Sequence, residues 1–225
     1  MVISQLGQLL VGSLRLPIRT ADHIGQIAVA MPEETSRLLQ SGKVVVFANH
    51  PSFIETFVLW HLLDKLFTNH VWTVTDEHLF PKSWVKPLKC ITVSRAKTRQ
   101  GPHASVYAQQ VNTRAAQQFD RVVNQPGIVV CYPEGARTCN TTRRIQLGSR
   151  QVGICQCSLL RRARTQGATL VPVWVDHGDC SSPQGFLYGY WKLLVRQPIT
   201  LTFGEPYDGP VNPTGIANAL LGCGQ

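Results

Sequence analysis

The stretch Asn49-His50-Pro51-Ser52-Phe53-Ile54-Glu55 places a histidine, a hydroxyl and a carboxylate within six residues. Histidine's ordinary pKa suits it to take a proton from a hydroxyl at neutral pH. Two other stretches carry guanidinium groups. One is Ile91-Thr92-Val93-Ser94-Arg95, and the other is Tyr132-Pro133-Glu134-Gly135-Ala136-Arg137-Thr138. Arginine grips phosphate as a planar, charge-assisted fork. A base with Arg95 and Arg137 beside it makes a pocket that binds a phosphate and deprotonates a neighbouring hydroxyl. Glu134 is expected to pair with Arg137 or Arg95 and to shape the loop that holds them. Glu55 also has a reading without chemistry, because Ser52-x-x-Glu55 is a capping box at a helix start. His61, His70, His78, His103 and His177 are left as structural or exposed histidines.

These groups need elements to bring them together. Val44–Ala48 is a continuous apolar run, read as a buried strand, and Phe53, Phe57, Trp60, Leu63 and Phe67 then recur at helical spacing. The spacing predicts further strands at 71–75, 91–94, 128–132, 169–175 and 199–203. It predicts helices over 102–124 and 149–165, with Val106 or Tyr107, Val111, Ala115, Phe119 and Val122 lining the first. Pro172 suggests an edge strand or the end of pairing. Arg161, Arg162 and Arg164 are expected on a solvated helix face. Leu79–Leu88 is basic and aromatic and reads as a surface helix with snorkelling lysines, or else as an amphipathic element at a membrane or acyl-chain entrance. Ile3, Leu6, Leu10 and Leu14 suit a short amphipathic helix, which either lies in a membrane interface or packs on the protein's own core. Strands alternating with helices argue for an α/β fold, a mixed, mostly parallel central sheet flanked by helices. Residues 1–40 are expected to form an N-terminal helical segment and 41–225 the main domain. His50, Arg95 and the Glu134-Gly135-Ala136-Arg137 loop all follow strand ends, where open α/β sheets place their chemistry.

The composition is that of a globular chain: 225 residues, 44% apolar and 16% charged. A formal net charge of +9 favours anionic partners such as a phosphorylated substrate or a lipid surface. No nucleic-acid recognition motif accompanies it, so no nucleic-acid partner is expected. The seven cysteines have no zinc-ligand spacing, and no metal is expected. Their odd number suits a reducing compartment. The absence of G-x-S-x-G argues against a serine hydrolase built on Ser52. No run of eighteen apolar residues is present to cross a membrane.

The order and spacing of these segments resemble the glycerophospholipid acyltransferase family, which contains the lysophosphatidic acid acyltransferases. The resemblance lies in Asn49–Glu55 against N-H-x-x-x-x-D, the strand ending in Arg95, Tyr132–Thr138 against F-P-E-G-T-R-S, Val171-Pro172-Val173, and Gly204-Glu205-Pro206. It spans roughly residues 42–208. It implies transfer of a fatty acyl chain from an acyl thioester to a lysophospholipid hydroxyl, with 1-acyl-glycerol-3-phosphate the foremost acceptor. Glycerol 3-phosphate or an aminolipid is the alternative acceptor, and a non-catalytic lipid-binding relative the alternative role. The resemblance makes His50 the general base and Glu55 the carboxylate that orients it. It makes Arg95, Glu134, Gly135 and Arg137 the substrate phosphate-binding set, with Gly135 admitting the ligand close to backbone. No cofactor is implied beyond acyl-CoA or acyl carrier protein as co-substrate. The implied location is peripheral, at the cytoplasmic face of a membrane. Two residues depart from the family pattern: Glu55 stands where aspartate is usual, and Ala136 where threonine is usual.

Overall fold

The computed structural model describes residues 18–20, 22, 25–51, 54–67, 70–77, 89–94, 104–135, 143–176 and 198–224. The expected N-terminal helix, the 79–88 segment, Arg95 and Arg137 lie outside them. The sheet is built outward from β2 (Lys43–Ala48), the apolar run that precedes His50. Val44, Val46 and Ala48 pack into one core cluster, while Val45 and Phe47 pack into a second on the opposite face. Alternation across the pleat with both sides apolar is the signature of a strand covered on both faces.

Around β2 lie β5 (Gly127–Cys131) and β8 (Thr169–Asp176), both parallel to it. Beyond β5 come β3 (Val71–Asp76) and β4 (Cys90–Val93), again parallel. Beyond β8 come β9 (Ile199–Phe203), antiparallel to β8, and β1 (Ile27–Ala30), parallel to β9. The seven-stranded order is β1-β9-β8-β2-β5-β3-β4. The sheet is therefore mixed and mostly parallel, as expected. The parallel set β2, β5, β3, β4 and β8 brings five carboxyl ends to one edge.

α1 (Glu33–Ser41) and α2 (Ile54–Phe67) accompany the first cluster. α2 is apolar nearly all round. Phe57, Trp60 and Leu63 are buried as the periodicity predicts, and so are Val58, Leu59 and Leu62. α3 (Ala104–Val123), α4 (Ser158–Thr165) and α5 (Pro213–Leu221) cover the other face. On α3, Ala108, Ala115, Phe119 and Val123 turn inward, while Val106 is half exposed. α5 starts at Pro213, where the Asn212 side chain accepts from Gly215 N at 2.8 Å. Residues 27–40, assigned from sequence to the N-terminal segment, contribute β1 and most of α1 to this same unit.

Two local expectations are corrected. Residues 149–165 are not one helix. β6 (Arg144–Leu147) and β7 (Arg150–Gly153) form an antiparallel hairpin, and the helix starts only at Ser158. The hairpin turns at Gly148, which takes a positive φ of 58°. Pro172 does not mark an edge, since β8 is paired on both sides. The Val175 N–H and C=O point toward β2, so the alternate residues Leu170 and Pro172 point toward β9. There Pro172 O accepts from Gly204 N at 2.9 Å, just past the end of β9. The N–H that proline lacks thus faces the side where the β9 ladder has ended, and no bond to β2 is lost. Gly204 is required at this approach, because a Cβ there would lie 2.8 Å from Pro172 Cγ.

Candidate active site

The chain leaves β2 at Ala48, its last partner of β8. Asn49 then replaces the ladder with its side chain. Its Nδ2 donates to Val175 O at 2.9 Å, and its Oδ1 accepts from Val175 N at 2.6 Å. A buried asparagine satisfied at both ends fixes where the backbone turns out of the sheet. His50 is the next residue, and α2 begins four residues later.

The turn brings His50 Nδ1 into a hydrogen bond with Glu55 Oε1. The Glu55 side chain is fully buried and that of His50 is 14% exposed. An ionised carboxylate only accepts, so the contact matches the tautomer with the proton on Nδ1 and the lone pair on Nε2. The longer glutamate therefore spans the distance to the imidazole. Ser52, the other half of the capping box, lies outside the described residues. The Tyr132 ring lies against His50, with centroids 4.7 Å apart and planes tilted by 31°. Burial, and then the Glu55 charge, holds the Tyr132 phenol well above its usual range, so it stays neutral.

Glu134 sits behind the histidine. Its Oε1 accepts from His50 N at 2.8 Å and its Oε2 accepts from Gly153 N at 2.6 Å. This buried carboxylate braces the backbone of His50 against the end of β7. Sequence reasoning placed Glu134 with the phosphate-binding groups or as their support, and the backbone partners were not foreseen. Gly135 follows with φ of 65°, in the left-handed region. The Gln156 carboxamide lies over it, and Nε2 would stand 3.2 Å from a Cβ at residue 135. Gln156 N also donates to Pro133 O at 2.6 Å.

His50, Tyr132, Gly135 and Gln156 line a cavity of about 380 Å³ that runs between β3, β4, β5, α3 and α4. Val74, Val93, Ala115, Cys131, Leu159 and Leu160 give it apolar walls. Ser94, the residue before Arg95, is also in its lining. Asn112 of α3 grips both backbone groups of Ser94: Oδ1 accepts from its N–H at 2.8 Å and Nδ2 donates to its C=O at 2.9 Å. Glu77 accepts from the Ser94 hydroxyl and, at 3.0 Å, from Tyr107. The strand end that feeds Arg95 is thus held from two sides. Arg95, Ala136 and Arg137 are not among the described residues.

Arg161 and Arg162 of α4 are exposed, as expected, Arg164 is half-buried, and all three also bond within the fold. Arg161 donates to Val211 O at 2.7 Å, Arg162 pairs with Asp120, and Arg164 donates to the Tyr207 and Gly209 carbonyls. Cys131 lies in the cavity wall, but burial pushes its thiol up to about 12. It is no thiolate at neutral pH. Among the described residues, no three His, Cys, Asp or Glu side chains are grouped to hold a metal.

Among the described residues no helix is long and apolar enough to cross a membrane. A search among curated proteins gave no significant match. The Acyltransferase family model, by contrast, matches residues 27–176, which contain the His50–Glu55 pair, the Glu134 brace and the cavity, and the chain belongs to that family of glycerophospholipid acyltransferases.

Proposed function

We propose that this acyltransferase moves a fatty acyl chain from an acyl thioester, on coenzyme A or acyl carrier protein, to a lysophospholipid hydroxyl, with 1-acyl-glycerol-3-phosphate as acceptor. The observation that carries the reading is His50 at the cavity wall with Nδ1 on the buried Glu55 carboxylate. An alcohol is a poor nucleophile at neutral pH. His50 Nε2 takes its proton as the oxygen attacks the thioester carbonyl, and Glu55 stabilises the imidazolium that forms. The tetrahedral intermediate collapses with cleavage of the C–S bond, and the imidazolium returns its proton to the departing thiolate. The apolar walls suit an alkyl chain. Arg95 and Arg137 supply the forks for the acceptor phosphate. With lipid substrates and a net charge of +9, the enzyme works peripherally at the cytoplasmic face of an anionic membrane.

The test is purified protein with both thioester donors and a panel of lysophosphatidic acid, other lysophospholipids, glycerol 3-phosphate and an aminolipid, read by mass spectrometry. Lysophosphatidic acid should be acylated. His50→Ala should lose about 100- to 10,000-fold of the turnover while keeping its melting temperature. Retained turnover in that variant, or no transfer by the wild type, overturns the reading.

A further inference from the structure

Attack on a thioester carbonyl drives negative charge onto its oxygen. An enzyme gains most when an N–H donor is already fixed where that charge develops. Four described side chains with N–H donors line the cavity: His50, Asn112, Gln156 and Arg162. Three are committed. His50 is held by Glu55, Asn112 by Ser94, and Arg162 by Asp120. The backbone N–H groups of His50, Gly135 and Gln156 are committed as well, to Glu134 Oε1, Tyr132 O and Pro133 O. Among the described residues the Gln156 carboxamide has no hydrogen-bond partner, and the residue is exposed to the cavity.

The Gln156 backbone is tied to that of the base by two short routes. Gln156 N bonds Pro133 O, and Pro133 adjoins Glu134, which holds His50 N. Glu134 also holds Gly153 N, three residues before Gln156. The carboxamide lies over Gly135, whose missing side chain leaves it room. A neutral amide suits the task, since a cation at this point would compete for Glu134 and a carboxylate would repel the developing charge.

We propose that Gln156 is a catalytic residue whose Nε2–H donates to the acyl carbonyl oxygen as the hydroxyl adds. The new C–O bond forms, the C=O π pair moves onto the oxygen held by Gln156, and His50 takes the hydroxyl proton. The pair then returns, the C–S bond breaks, and the thiolate leaves with that proton. The inference rests on the acyl-transfer reading above and adds the oxyanion donor to it.

The experiment compares wild type, His50→Ala, Gln156→Ala and Gln156→Glu in steady-state acyl transfer, with thermal melts of each. Gln156→Ala should lower kcat about 100- to 1,000-fold and leave both Michaelis constants within about twofold. Gln156→Glu preserves the contact over Gly135 but removes the donor, so it should be at least as impaired. A purely structural Gln156 predicts recovery in the glutamate variant. Unchanged kcat in Gln156→Ala, recovery in Gln156→Glu, or a loss confined to the acceptor Michaelis constant overturns the assignment. Absence of transfer by the wild type would remove the acyl-transfer reading, and retained turnover in His50→Ala would remove His50 as the base, so neither outcome is confused with failure of the Gln156 assignment.

Discussion

Glu55 is where a substitution by one methylene has the clearest consequence. It stands where the family uses aspartate, yet its buried carboxylate reaches His50 Nδ1 across the turn between β2 and α2. Glu55→Gln keeps the shape and removes the charge that, in the proposed mechanism, stabilises the imidazolium. It also offers Nδ1 an amide that can select the wrong tautomer. The expected loss in kcat is about 100- to 10,000-fold, with little change in melting temperature. Glu55→Asp withdraws the carboxylate by about 1.5 Å, and a misplacement near 1 Å already costs roughly 100-fold. Steady-state kinetics on both variants decides the point, and wild-type turnover in Glu55→Gln would return the residue to a helix-capping role. The pair itself was legible in the sequence because its members are five residues apart. The Glu134 brace was not, because His50 lies 84 residues away and only the sheet order brings them together. The sequence displays a carboxylate three residues before Arg137. It does not display two backbone N–H groups from distant strand ends converging on that carboxylate.

At the level of elements, the site depends on strand ends held by side chains rather than by more strand. Asn49 does this for β2, Glu134 for β7, and Asn112 with Glu77 for β4. Asn112→Leu would fill similar space but leave the N–H and C=O of Ser94 without partners. Such a loss costs about 1–3 kcal/mol, read by denaturant unfolding. Because Arg95 directly follows Ser94, the same variant should raise the Michaelis constant for a phosphorylated acceptor more than that for the thioester donor. A uniform fall in kcat with unaltered Michaelis constants would argue against that positioning role. The strands and long helices could be read from hydrophobic period, since β2 and α3 show it plainly. The β6–β7 hairpin could not. Its residues are arginine-rich, and only Val152 and Gly153 are buried, so no apolar alternation marks it. Pro172 misled for a related reason. Whether a missing N–H matters depends on which neighbour it faces, and that is a property of the assembled sheet.

Across the described residues, charged clasps lie over an apolar frame around the candidate site. Arg150 donates to the carbonyls of Leu221 and Cys223 while stacking on Trp174, tying the hairpin to the end of α5. Asp120 of α3 takes Arg162 and Gln166, joining α3 to α4 across the cavity that contains His50. These commitments fix two guanidinium groups within the fold and leave the net charge of +9 as it is. They also make the joint between the two helices sensitive to acid. The Arg162 hydrogen bond, more than any other contact, holds the Asp120 carboxyl below its ordinary value. A group depressed in the folded state adds stability above its unfolded pKa, about 3.9 for aspartate, and that stability is lost as pH falls through the folded value. Melting temperature should therefore be level near neutrality and decline from about pH 5 downward. Asp22, lowered chiefly by Lys65, contributes in the same direction at the start of the described chain. Asp120→Asn should melt lower than wild type at pH 7 and show a shallower acid decline. Both differences should narrow in high salt, because the pair is partly exposed and screened. Parallel acid profiles for the two proteins would show that the helix joint draws its stability from the apolar contacts of α3 and α4 instead.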